Sequence, residues 1–303
     1  MTRRGSFLPA TLLSILLSTS VSTFGQNPAI TTDPAPDKLN PASMHSFQLP
    51  SHGSLLNALV YLAAGAGPHP TVILLHGFPG NEKNLDLAQS IRRAGWNVLY
   101  FNYRGSWGSP GEFSFTHCIE DAQSAIAYLR DPVNAGKLRT DPKTIVLVGH
   151  SMGGFVAVEA SALDPGIRAV AAISAADMDA GKMLAIPAEK RDLAVKNFAA
   201  SLAEEGMAPL AGTSPESLAK EVMQNADKWA FLNIAPKLAT RPLLVISADD
   251  GLAPTTDAFV EAVEKAGNQE VRAIHMATDH AYSDHRIVLQ QAVLEGLDYL
   301  SGK

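Results

Sequence analysis

The sequence predicts a three-layer α/β/α architecture with a mostly parallel sheet and a helical cap insertion. Three observations carry this. Short continuous apolar runs at 71–75, 98–103, 144–148, 167–173, 242–247 and 271–276 have the character of strands buried on both faces. Stretches with helical spacing of apolar residues separate most of them, and strands alternating with helices imply crossover connections over a parallel sheet. Between the fourth and fifth of these runs the alternation stops. Residues 177–240, rich in Ala, Glu, Lys and Met, are too long for an ordinary connection and read as several helices forming a cap.

Taken in order, the chain begins with a targeting pattern. Arg3 and Arg4 precede an apolar stretch diluted by Ser and Thr, and Thr23-Phe24-Gly25 offers small residues at the positions a signal peptidase reads, with cleavage expected before Gln26. Residues 1–25 are therefore expected to be a signal peptide and the protein to be secreted or periplasmic. The alternative is an uncleaved anchor, against which stand Pro9 and the many hydroxyls. Residues 26–43 hold four prolines, which disfavour helix and central strand, and are expected to be a flexible leader. The domain proper should run from 44 to 303. Residues 46–49 and 55–62 read as two strands joined by a turn at Ser51-His52-Gly53, hence antiparallel and at one edge of the sheet. Helical spacing follows at 85–92, 119–129, 155–163 and 257–266, and a long amphipathic helix is expected over 284–299.

Composition removes several function classes. The 303 residues carry a formal charge of -6, or -8 without the two arginines of the expected signal peptide, and no basic run, so nucleic acid is not an expected partner. No segment beyond the leader approaches a membrane span. The one cysteine, Cys118, excludes disulfide, zinc-ribbon and iron–sulfur frameworks within one chain.

The strongest chemical signal is Gly149-His150-Ser151-Met152-Gly153-Gly154, which contains G-x-S-x-G between the apolar run 144–148 and a helical stretch. That context is a nucleophile elbow: the turn lifts Ser151 to the start of a helix, where the Met152 N–H can face a developing oxyanion. A glycine-rich turn with a capping serine is the plainer alternative. His76-Gly77-Phe78-Pro79-Gly80, after the run 71–75, can supply a second donor, the Phe78 N–H, since Pro79 has none. His76 itself reads as a structural hydrogen-bonding group.

With HGFPG at 76–80, NYRG at 102–105 and GHSMGG at 149–154, the chain resembles the α/β-hydrolase superfamily over roughly residues 44–303. The resemblance implies the order Ser, acid, His. The acid then lies in Ser247-Ala248-Asp249-Asp250-Gly251, where Asp250 fits the family's loop better than Asp249; an acid one strand earlier would be Asp177 or Asp179. The histidine should follow the last strand, which favours His280 over His285. A triad of Ser151, Asp250 and His280 with Phe78 and Met152 as oxyanion donors implies a serine hydrolase of carboxylic esters, acting on a small-molecule acyl substrate through an acyl-enzyme, with no cofactor and no metal. A small serine peptidase of the same superfamily and a non-catalytic binding protein with this fold are the competing readings. Arg104 can be read as a carboxylate binder or a structural ion pair, Trp107 and Phe113 as pocket or core. Cys118 reads as a buried apolar group, and Met178, Met183, Leu184, Ile186 and Phe198 of the cap as acyl-pocket lining or core.

Overall fold

A computed structural model describes residues 26–301, and its frame is a sheet of eight strands in the order β1-β2-β4-β3-β5-β6-β7-β8. The strands are β1 (Ser43–Ser51), β2 (Ser54–Leu62), β3 (His69–Leu75), β4 (Asn97–Phe101), β5 (Thr140–His150), β6 (Ala169–Ile173), β7 (Leu243–Ala248) and β8 (Val271–Met276). The β1–β2 hairpin pairs antiparallel, with Ser51 opposite Ser54, and β2 pairs antiparallel with β4; every other pair is parallel. The signal expected at 1–25 lies outside the described residues.

The helices are α1 (Pro28–Thr31), α2 (Leu85–Arg93), α3 (Phe115–Arg130), α4 (Pro132–Leu138), α5 (Met152–Leu163), α6 (Ala180–Leu184), α7 (Arg191–Glu204), α8 (Pro215–Trp229), α9 (Phe231–Ile234), α10 (Ala253–Lys265) and α11 (Arg286–Ser301). The strand pleat divides the core. Ile73, Leu75, Ile145 and Leu147 face one layer, built on α3, α5 and α8–α10. Val72, Leu74, Val146 and Val148 face the other, built on α2 and α11. Strands with apolar residues on both faces read as continuous runs for this reason. Helices α6 to α9 fill the connection from β6 to β7 and stand over the carboxyl end of the sheet.

Three sequence expectations need correction. The leader is not free of structure: α1 forms one turn within it, the Asn27 N–H donates to Gln291 Oε1 at 2.7 Å, and Arg93 donates to the carbonyls of Ala29 and Ile30. Pro28 stands in the first turn, where a missing N–H costs nothing. Helix α3 starts four residues earlier than expected because Ser114 caps it, accepting from the His117 N–H at 3.0 Å. Helix α11 starts at Arg286, which leaves His285 outside it.

Three ionisable side chains, Arg104, Asp121 and Glu159, are buried in the layer of α3 and α5. Arg104 donates through Nε to Asp121 Oδ1 at 2.7 Å and pairs with Glu120, while its own N–H bonds Asp121 Oδ2 at 2.8 Å. The ion pair is thus structural, tying the loop after β4 to α3. Glu159 on α5 is 7 % exposed, and its Oε1 has no hydrogen-bond partner among the described residues. Burial raises its pKa from 4.5 to about 8 against the opposing pull of Lys237, so the carboxyl is mostly neutral at pH 7. A value above the unfolded one means that the stability it allows is fullest below about 4.5 and is lost as the pH rises toward about 8. Glu159→Gln should remove that loss. The stability gap between variant and wild type, read by denaturant titration, is expected to widen by up to about 1 kcal/mol per pH unit in this window. A gap independent of pH would count against a buried neutral carboxyl.

Candidate active site

The turn from β5 into α5 places Ser151. Its φ of 59° and ψ of -125° lie where a residue with a β-carbon is strained, at a cost of about 1–3 kcal/mol. A strand and a helix fix this conformation: the Ser151 N–H donates to the Ile173 carbonyl at the end of β6 at 2.9 Å, and its carbonyl accepts from the Gly154 N–H of α5 at 2.9 Å. Glycine is required at two flanking positions. A β-carbon on Gly149 would stand 2.0 Å from the Gly153 carbonyl oxygen, and one on Gly153 would stand 2.0 Å from that of Leu75. Met152 is the first residue of α5, so its N–H has no partner within the helix.

The loop after β3 closes the opposite wall. Phe78 packs against Phe113 and Phe115, with ring centroids 5.9 and 6.1 Å away. His76 is buried and donates through Nδ1 to the Gly77 carbonyl at 2.8 Å; burial lowers its pKa to about 4, so it is neutral and structural. Trp107 supplies a brace that the sequence did not disclose. Its indole N–H donates to the Pro79 carbonyl at 2.8 Å, and Lys83 lies 4.1 Å from the centre of its ring. Phe113 belongs to the core, as does Cys118, whose thiol is pushed well up by burial.

The loops after β7 and β8 bring an acid and a histidine together. His280 Nδ1 lies 2.8 Å from Asp250 Oδ2. Burial alone would raise the Asp250 pKa, but hydrogen bonds from Ser174, His280 and the Leu252 N–H outweigh it and hold the carboxyl below its ordinary range. The carboxylate can only accept, so His280 carries a proton on Nδ1, which leaves Nε2 as the ring nitrogen not engaged by Asp250. Asp249 instead meets His275 at 3.0 Å on the surface, Asp177 accepts from the Gly181 N–H at 3.0 Å, and His285 pairs with Asp284 at 2.8 Å. None of these three bonds His280.

Ser151, Asp250, His280, Phe78 and Met152 line one cavity of about 510 Å³, roofed by Phe198 and Leu202 of α7 and by Met178. Asp179 also lines it but is paired with Lys182 at 2.6 Å. A smaller cavity of about 170 Å³ adjoins at Ser151 and His280, walled by residues 77–82, His150, Glu205 and Ala281. Of the other cap residues, Met183 is buried in the core and Leu184 is exposed. Among the described residues no group of three or more metal-ligating side chains is gathered, and no helix is long and apolar enough to cross a membrane.

A family model described as the alpha/beta hydrolase family matches residues 72–292, most of the chain, and includes every residue just named. The chain belongs to the alpha/beta hydrolase family. Among curated proteins, an uncharacterised protein of Mycobacterium tuberculosis is 27 % identical over 165 residues, 52 % of this chain and 57 % of that one. The uncharacterised protein YfhR of Escherichia coli O157:H7 is 35 % identical over 103 residues, 33 % of this chain and 34 % of its own length. The chain thus spans about half, or less, of the curated relatives it matches. Among solved structures, Est1E from Butyrivibrio proteoclasticus, with ferulic acid bound, superposes with a TM-score of 0.63 at 17 % identity, covering 84 % of this chain and 99 % of that one. EstE1, a thermostable carboxylesterase cloned from a metagenomic library, gives 0.62 at 20 % identity, covering 86 % and 90 %. At such identities these likenesses speak for the alpha/beta hydrolase fold.

Proposed function

We propose that this alpha/beta hydrolase is a serine hydrolase of small-molecule carboxylic esters, with Ser151 as nucleophile, His280 as general base and Asp250 as its partner. The observation that carries the reading is the single cavity that holds a serine on a strained elbow and a histidine whose tautomer a buried carboxylate fixes. In the reaction His280 Nε2 takes the Ser151 proton as Oγ attacks the ester carbonyl, and Asp250 stabilises the imidazolium that results. The N–H groups of Phe78 and Met152 hold the tetrahedral oxyanion, each such donor being worth about 3 kcal/mol of barrier. His280 then protonates the leaving alcohol, and water, activated by the same ring, releases the acid. Apolar walls at Phe78, Met152, Met178, Phe198 and Leu202 suit an acyl chain or ring, while the carboxylates of Asp179 and Glu205 in the same lining disfavour an anionic one. The esterases among the similar folds favour esters over peptides. The pattern at 1–25 adds the reading that the protein is exported.

A fluorophosphonate probe and a panel of p-nitrophenyl esters and aminoacyl amides test this. Wild type should take the probe and cleave short esters; activity confined to the amides would replace the esterase by a peptidase. Asp250→Asn is expected to lower kcat about 10⁴-fold by favouring the wrong His280 tautomer. Asp249→Asn, on the surface pair with His275, should leave kcat unchanged. Equal effects from the two would overturn the assignment of the acid.

A further inference from the structure

His150 stands in the chain directly before Ser151, and the hydrolase reading gives it no task. Its ring is buried, 4 % exposed, and packs in a tilted contact against that of His280, centroids 4.7 Å apart at 40°. On its other flank is the edge of Tyr282, 6.2 Å away. His150 Nε2 is 2.7 Å from the main-chain carbonyl oxygen of His280. A carbonyl only accepts, so Nε2 carries the proton and Nδ1 is a bare lone pair, which is buried and without a partner among the described residues.

The loop that bears His280 is pinned at consecutive carbonyls. His150 holds that of His280, and Arg286, itself bonded to Asn84 and Asp86 at the start of α2, holds that of Ala281 at 3.0 Å. Two residues beyond His280, the Tyr282 hydroxyl bonds Ser174 Oγ at 2.9 Å, and Ser174 in turn bonds Asp250. Nucleophile and base sit on elements far apart in sequence, yet only one residue and one hydrogen bond separate their main chains.

We propose that His150 is a positioning residue that sets the distance between Ser151 and His280 by donating Nε2–H to the His280 carbonyl and packing its ring on the imidazole. The inference rests on the serine-hydrolase reading. It explains why an imidazole is placed where an apolar residue would leave no lone pair unpaired: the donor on a flat ring meets both requirements at once. Burial, with His280 and Arg286 nearby, lowers the His150 pKa to about 4, so the ring stays neutral and keeps a single donor.

The test compares His150→Leu, which keeps an apolar filler and loses the donor, with His150→Gln, whose amide N–H can reach the same carbonyl. In p-nitrophenyl ester hydrolysis, His150→Leu should lower kcat about 10- to 100-fold with KM unchanged, as misplacement of a reacting group does. His150→Gln should recover most of the loss. Equal losses in both variants, or a change in KM alone, would overturn the proposal. A wild type inert to esters and to fluorophosphonate overturns the hydrolase reading and this inference with it, whereas an active wild type matched by His150→Leu overturns this inference alone. Should either variant fail to fold, nitrogen-15 spectra of the wild-type imidazoles decide. His150 is expected as the neutral Nε2–H tautomer at neutral pH, and an Nδ1–H tautomer there would refute it.

Discussion

Ser151→Ala should abolish ester hydrolysis, lowering kcat by about 10⁵- to 10⁶-fold, while the unfolding midpoint stays near that of wild type. Only Oγ is removed. Alanine carries the same β-carbon into the same strained backbone, so the elbow gains no new penalty, and the His280–Asp250 bond does not depend on the hydroxyl. The residue of activity that remains should come from the Phe78 and Met152 donors and from binding in the cavity, which still favour the oxyanion over free water. Fluorophosphonate labelling should vanish with the hydroxyl. A variant that keeps activity within tenfold of wild type would place the nucleophile elsewhere.

Gly153→Ala should be among the most damaging of single-methyl additions, reducing stability by about 4 kcal/mol or more and leaving little soluble protein. The added carbon would stand 2.0 Å from the Leu75 oxygen, 2.6 Å from its carbonyl carbon and 2.8 Å from the His76 oxygen. All three are main-chain atoms at the end of β3, from which the 76–80 loop departs, so relief would push α5 off the sheet or displace the Phe78 donor. Gly136→Ala is the matched control. It lies inside α4 with open space around it, and there the same carbon should stabilise by about 0.5–1 kcal/mol. Denaturant unfolding of the two variants reads both signs, and a soluble, wild-type-like Gly153→Ala would refute the close packing of helix on strand.

Most of the sheet was legible because strands buried on both faces announce themselves as apolar runs, and the hairpin because its turn residues lie next to each other in sequence. The elbow was legible because a tight turn under a helix tolerates little but glycine at Gly149 and Gly153. Asp250 and Asp249 could be ranked only by likeness to a family. What separates them is physical: one is sealed behind Ser174 and His280, the other faces solvent beside His275. The remainder depended on partners far away in the chain. Asn27 meets Gln291, Trp107 braces Pro79, and His150 reaches His280, and no local pattern encodes such meetings. The start of α11 was missed because Asp284 and His285 continue a helical rhythm while their side chains are already bonded to each other and to Thr278.

Helix α7 works for two masters. Phe198, Ser201 and Leu202 look into the cavity that holds Ser151 and His280, while Val195, Ala199 and Ala203 line a groove of about 670 Å³ shared with Met223 of α8. Only Ala199 and Leu202 along its length are fully buried. A lineage exploring new substrates therefore has unusual latitude here. Changes on the outer side should reshape the chamber beneath without touching Ser151, Asp250 or His280. Selection for altered substrate range should accumulate its substitutions along α7 and the facing side of α8 before it reaches the strands.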